Sequence, residues 1–179
     1  MKYLYLLLTA LLFFDFDNGL NESAPLQRER LYYRKDKPVK LAINNNLSHA
    51  KGFQCDSVVG IDYIGFEGEH TYMPIGKSGY YISSIKKTKK LSANQIVRLN
   101  KILGSSKTYE NPSIVACYEP HLAFIFYRKD EVIAQIQICL SCAQLRSTAK
   151  IAGNSYGDLI NKAAINEFYK LTNELGLTN

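Results

Sequence analysis

SIVACYEPHLAFIFYRKDEVIAQIQICLSC, running from Ser113 to Cys142, sets two apolar runs on either side of a short charged break. Leu122–Tyr127 (LAFIFY) and Val132–Cys139 (VIAQIQIC) are rich in β-branched and aromatic residues, and Arg128-Lys129-Asp130-Glu131 divides them. Such paired runs predict a long β-hairpin. In the second run Ala134, Ile136 and Ile138 alternate with Gln135 and Gln137, which predicts a half-buried strand with one apolar face.

The hairpin decides where the chemistry sits. A turn centred between Lys129 and Asp130 pairs Tyr127 with Val132 and carries Cys117 opposite Cys142, with Cys139 on the other face. One added turn residue shifts the pairing and sets His121 against Cys139 instead. The register is soft because Lys-Asp is not the Asn-Gly pair that a two-residue turn prefers, and Pro120 interrupts the ladder. Either register gathers Cys117, His121, Cys139 and Cys142 at the open end of the hairpin.

The 179 residues suit one domain with an appendage. The net charge of +6, from 22 basic and 16 acidic residues, favours acidic surfaces but lacks the concentrated footprint of a nucleic-acid binder. Met1-Lys2 followed by Tyr3–Phe14 (YLYLLLTALLFF) reads as an export signal. Twelve helical residues cover roughly 18 Å, short of the roughly 30 Å hydrocarbon core, so no stable transmembrane span is expected. Residues 1–20 are therefore expected to be a signal peptide or N-terminal anchor, 21–46 a mobile linker broken by Pro25 and Pro38, and 47–179 a single domain. Ser23 is a weak cleavage site. Asn21-Glu22-Ser23 and Asn46-Leu47-Ser48 are glycosylation triplets only in a eukaryotic secretory pathway.

Ser57–Phe66 predicts a strand, and Tyr72–Ile85 one or two more, broken at Gly76-Lys77-Ser78-Gly79. That Gly-Lys-Ser lacks the upstream glycine of a phosphate-binding loop, since Thr71 stands there. The basic run Lys86-Lys87-Thr88-Lys89-Lys90 predicts a solvated turn before a helix, with contact to an acidic partner or anionic lipid as its functional alternative. Ser92 and Gln95 form a capping box for a helix to about Leu103, with Gly104 as a left-handed stop. A second helix is expected from about Ser155, with Asp158 three residues on, to just before Gly176; its apolar stripe is Ile160, Ala164, Phe168, Leu171 and Leu175. The fold class expected is α+β: an antiparallel sheet around the long hairpin, with two amphipathic helices on one face.

Three chemistries compete for the cysteines. In an oxidising compartment a disulfide between Cys117 and Cys142 (or Cys139) closes a loop of about 25 residues, worth roughly 3.5 kcal/mol. Cys117, His121, Cys139 and Cys142 make a Cys3His shell suited to zinc. Cys139-Leu140-Ser141-Cys142 has thioredoxin-like spacing, and a short helix through Ala143–Ala149 would lower a thiol pKa at its N-terminus. Leu-Ser between the cysteines, and the lack of any proline after Pro120, depart from that motif. Asp62, Glu67, Glu69 and His70 are the carboxylates and imidazole close enough in sequence for acid–base work, and solvated strand-end residues are their ordinary role.

The order of a capped helix, Cys117-Tyr118-Glu119-Pro120-His121 with its apolar strand, then Ile138-Cys139-Leu140-Ser141-Cys142, resembles a group of small uncharacterised exported proteins of Bacteroidota-type bacteria over Leu91–Cys142. The resemblance implies export and a cysteine-bearing hairpin, and no activity. The expected protein is thus periplasmic or secreted and non-catalytic. It binds an envelope or other protein partner, with the preferred Cys117–Cys142 disulfide and no cofactor unless zinc fills the Cys3His set. The alternative is a periplasmic thiol–disulfide oxidoreductase using Cys139 and Cys142.

Overall fold

The computed structural model describes residue 33 and residues 37–43, 52–110, 117–152 and 156–177, with backbone alone at 156–159. The expected export signal, the cleavage site and both glycosylation triplets lie outside these residues.

Among the described residues eight strands and two α-helices follow in order, with a 3-10 turn at Ser106–Thr108: β1 (Ser57–Tyr63), β2 (Phe66–Glu67), β3 (His70–Thr71), β4 (Ile85–Lys90), α1 (Ala93–Leu103), β5 (Leu122–Arg128), β6 (Glu131–Cys139), β7 (Gln144–Ser147), β8 (Tyr156–Leu159) and α2 (Lys162–Leu175). Six strands form one sheet in the order β4-β1-β5-β6-β7-β8, with every neighbouring pair antiparallel; β2 and β3 make a separate small hairpin. The fold is α+β, and the long hairpin β5–β6 sits at the centre of its sheet.

Both hairpin registers occur. Tyr127 pairs with Val132 near the turn, and beyond a bulge Phe126 pairs with Ala134 and Leu122 with Ile138. Ile133 is the extra residue, so it and Ala134 both join the core under the helices, while Val132 joins the opposite core. The two-residue turn has positive φ at both positions, 51° at Lys129 and 61° at Asp130, as a primed hairpin turn demands. Asp56 Oδ2 accepts a 2.7 Å hydrogen bond from Lys129 N, holding the turn without the usual Asn-Gly.

The helices cover one sheet face. Ser92 and Gln95 make the expected capping box, and Leu99 and Leu103 are buried. Phe168 of α2 stacks on Phe124 of β5 at 6.4 Å. Three local expectations are corrected. Gly104 is right-handed at φ −85°, and the left-handed stop is Gly176 at φ 60°. The second helix does not begin near Ser155: β8 occupies 156–159, and α2 starts at an Asn161 N-cap whose side chain accepts from Ala164 N. Most of Tyr72–Ser84 is loop carrying isolated bridges, since Ile75 pairs with Tyr81 and Ile82 with Tyr33.

The opposite sheet face is also covered, which corrects the half-buried reading of β6. Ile61, Tyr63, Ala123, Ile125 and Val132 form a second core against Ile75 and Ile82, with Tyr33, Val39, Leu41, Tyr72 and Tyr81 packed around it. Gln135 and Gln137 are only 2% exposed. Tyr33 and residues 37–43, part of the stretch expected as linker, lie within the unit that runs from Tyr32 to Asn179. Residues 40–42 flank β6 where β7 does not reach: Val132 N donates to Lys40 O and Val132 O accepts from Ala42 N. That contact satisfies the Val132 backbone in a nine-residue strand whose β7 neighbour has only four.

Candidate functional site

The open end of the hairpin brings three cysteines together. Cys139 ends β6, and the chain turns through Leu140–Ala143, where Ala143 takes φ 52°, into β7. This turn returns Cys142 toward Cys117, and their Sγ atoms lie 3.1 Å apart. Cys142 Sγ also donates to Cys117 O. Cys142 N donates to Cys139 Sγ at 3.3 Å, Ser141 Oγ lies 3.3 Å from the same sulfur, and Cys139 Sγ contacts Cys117 O at 3.8 Å. All four cysteines are free thiols, with Cys139 buried and Cys117 exposed. Cys55 stands apart: Asp56 N bonds Tyr127 O beside the hairpin turn, so Cys55 lies at the other end of the strands. Burial and then Asp56 push its thiol pKa up.

The helix expected over Ala143–Ala149 is instead a turn and strand β7, because Gln144–Ser147 pair with Ile136–Cys139. The positive helix end that would have lowered a thiol pKa is therefore missing from the Cys139–Cys142 segment. Burial, followed by hydrogen bonding to Cys139 and Cys117, pushes the Cys142 thiol up to about 12. At neutral pH this sulfur is a thiol, whereas thiolate is the attacking and metal-binding form.

His121 lies beside the cysteines in sequence, and its Nδ1 is 3.2 Å from Tyr63 O, with the ring edge-on to Phe66 at 5.6 Å. Among the described residues no group of three or more His, Cys, Asp and Glu side chains is arranged to hold a metal ion. Glu67 and His70 oppose one another on the β2–β3 hairpin, where both are exposed with Glu69, while Asp62 is buried on β1.

A polar network that the sequence did not reveal backs the thiols. Tyr118 is buried and donates to Gln137 O at 3.2 Å, while Tyr63 donates to Gln137 Oε1 at 3.1 Å. Burial raises both phenol pKa values. The Arg146 guanidinium lies 4.1 Å from the Tyr118 ring centroid, and its Nη1 donates to Thr71 Oγ1 at 2.9 Å. Stacking a cation on an aromatic face is favourable, and here it joins β7, β3 and the Cys117 segment. The glutamines in the β6 alternation were the available signal, but polar side chains at alternate positions ordinarily face water.

The basic run is not a turn. Ile85–Lys90 is β4, at the edge of the six-stranded sheet, with Lys86, Lys87, Lys89 and Lys90 all exposed. No helix among the described residues is long and apolar enough to cross a membrane. The chain matches no family model, no curated protein and no solved structure.

Proposed function

We propose that this protein is a small non-catalytic binding domain of an oxidising compartment, periplasmic or secreted, braced by a structural disulfide between Cys117 and Cys142. The observation that carries the reading is the 3.1 Å approach of these two sulfurs at the end of the central hairpin. Joining them removes two protons and two electrons, which pass to an oxidised disulfide carrier through a mixed disulfide. The apolar run Tyr3–Phe14 supports export.

The raised Cys142 pKa favours bracing over turnover. A thiol held in its neutral form attacks slowly. The polar groups behind the sulfurs are engaged with one another and with the main chain, as in a structural support.

The test is intact mass and peptide mapping of protein isolated from an oxidising compartment, alkylated with and without prior reduction. The expected product is lighter by two hydrogens, with Cys117 and Cys142 linked and Cys55 and Cys139 alkylated without reduction. Alkylation of all four cysteines without reduction defeats the disulfide. Stoichiometric zinc would favour the Cys3His shell, and insulin reduction lost in Cys139→Ser would favour the oxidoreductase.

A further inference from the structure

We infer that the outer side of β4 is a docking edge for an acidic, extended polypeptide segment, which adds to the sheet as a further strand. The inference rests on the binding-domain reading and gives it a surface and a partner chemistry.

Among the described residues β4 has a sheet neighbour on one side only. Leu91 N donates to Val58 O, and antiparallel bonding alternates along the pair, so Lys87 and Lys89 turn their main-chain groups toward β1. Thr88 and Lys90 turn theirs outward, and the alternation ends at Lys86, where the register shifts. An outward row of N–H and C=O groups is the template that an added strand reads.

Charge selects the strand. Lys87 and Lys89 oppose Asp62 and Gly60 and so project on the helix face; Lys90, opposite Val59, projects on the other. Lys87 Nζ donates to Gly176 O at the α2 terminus. Among the described residues none of these lysines forms an ion pair, whereas Lys40 and Lys170 do. An incoming strand would therefore meet ammonium groups above and below it. Lysine on an edge opposes pairing with a like edge, which disfavours a second copy of β4. The same field attracts carboxylates, so an acidic strand is the complement.

The experiment titrates the full chain with a soluble peptide alternating Glu with Thr or Val, and with its Lys-for-Glu counterpart, while amide exchange is followed by NMR. The acidic peptide is expected to bind, to slow exchange at Thr88 and Lys90, and to lose about tenfold or more in affinity between about 50 mM and about 300 mM salt. The Lys peptide is expected not to bind. Lys86→Glu with Lys90→Glu should weaken binding by about tenfold or more through charge. Thr88→Pro should abolish the protection while the chain stays folded, because proline is tolerated where a strand's N–H faces outward.

No binding of the acidic peptide overturns the proposal, as does binding that leaves those two amides unprotected. A membrane surface replaces it if vesicles of phosphatidylcholine with roughly 30% phosphatidylglycerol bind through the same lysines while the peptide does not. Disulfide mapping is read separately. A failed titration with Cys117 and Cys142 linked removes only this edge, and unlinked cysteines with a protected β4 remove only the brace.

Discussion

Gln135 holds Ile75 by both of its main-chain polar groups: Oε1 accepts from Ile75 N and Nε2 donates to Ile75 O, each at 2.9 Å. The glutamine belongs to the central hairpin and the isoleucine to the 72–84 loop, and both are buried. This pair explains how a loop with few β-bridges can roof a sheet face. Gln135→Leu keeps the size but strands a buried N–H and C=O, each costing about 1–3 kcal/mol. The expected loss is about 2–4 kcal/mol of unfolding free energy by urea titration; a change under about 0.5 kcal/mol would show that the loop is satisfied another way.

The hairpin turn carries a local cost. Lys129 and Asp130 both sit at positive φ, a region that disfavours side chains with a Cβ. Lys129→Asn with Asp130→Gly supplies the preferred pair and leaves the bond from the main chain of residue 129 to Asp56 intact. The double variant should be more stable by about 0.5–1 kcal/mol, read as a higher urea midpoint with an unchanged slope.

The cysteine pair predicts a stability difference between redox forms. Cys117 and Cys142 are 25 positions apart, and closing a loop of that size contributes roughly 3.5 kcal/mol through the unfolded chain. Denaturation of the oxidised and reduced protein should differ by about 2–4 kcal/mol, and Cys117→Ser should abolish the difference. Equal midpoints in both forms would remove the brace.

Alkaline behaviour follows from the same site. Burial first, then hydrogen bonding to the neighbouring cysteines, raises the Cys142 thiol from 9.0 to about 12 in the folded, reduced protein. A group whose folded pKa lies above its unfolded value contributes stability that is complete below the unfolded pKa and is lost as pH rises toward the folded one. Reduced wild type should therefore lose stability relative to reduced Cys142→Ser between about pH 9 and about pH 12, while near neutral pH their difference stays constant. Parallel curves across that window would contradict the assignment.

Gly79 pins residues 37–43 to the domain. Its φ is 84°, a Cβ there would stand 2.4 Å from Val39 O, and Gly79 O accepts from Val39 N at 3.0 Å. Gly79→Ala is expected to expose 37–43 to proteolysis and to cost about 2 kcal/mol or more, with the β5–β6 hairpin still protected in amide exchange. Unchanged cleavage would mean that this contact does not hold the segment.

Periodicity and caps were legible where one face of an element decides its partners. The β5–β6 runs, the Ser92–Gln95 capping box and the α2 residues Ala164, Phe168, Leu171 and Leu175 all stand as read, because their signals are local. The signal failed where a second layer intervened. Gln137 looks solvated by alternation, yet the Tyr63 hydroxyl satisfies its side-chain oxygen in the interior. Lys86–Lys90 looks like a turn by charge, yet edge position makes a lysine-rich strand stable and keeps it from pairing with its own kind. Asp158 looked like part of a helix start, but β7 recruits its backbone into the sheet.

Local patterning alone predicts that the chain folds back within Arg128–Glu131 and gathers Cys117, Cys139 and Cys142 at the open end of the hairpin, because two apolar runs flank one charged break. The assembled fold settles the rest: that both registers coexist across a bulge, that the thiols lie on a turn instead of a helix end, and that both sheet faces are closed. Those outcomes depend on contacts between residues far apart in the chain, such as Gln135 with Ile75 and Arg146 with Tyr118 and Thr71, and no local propensity encodes them.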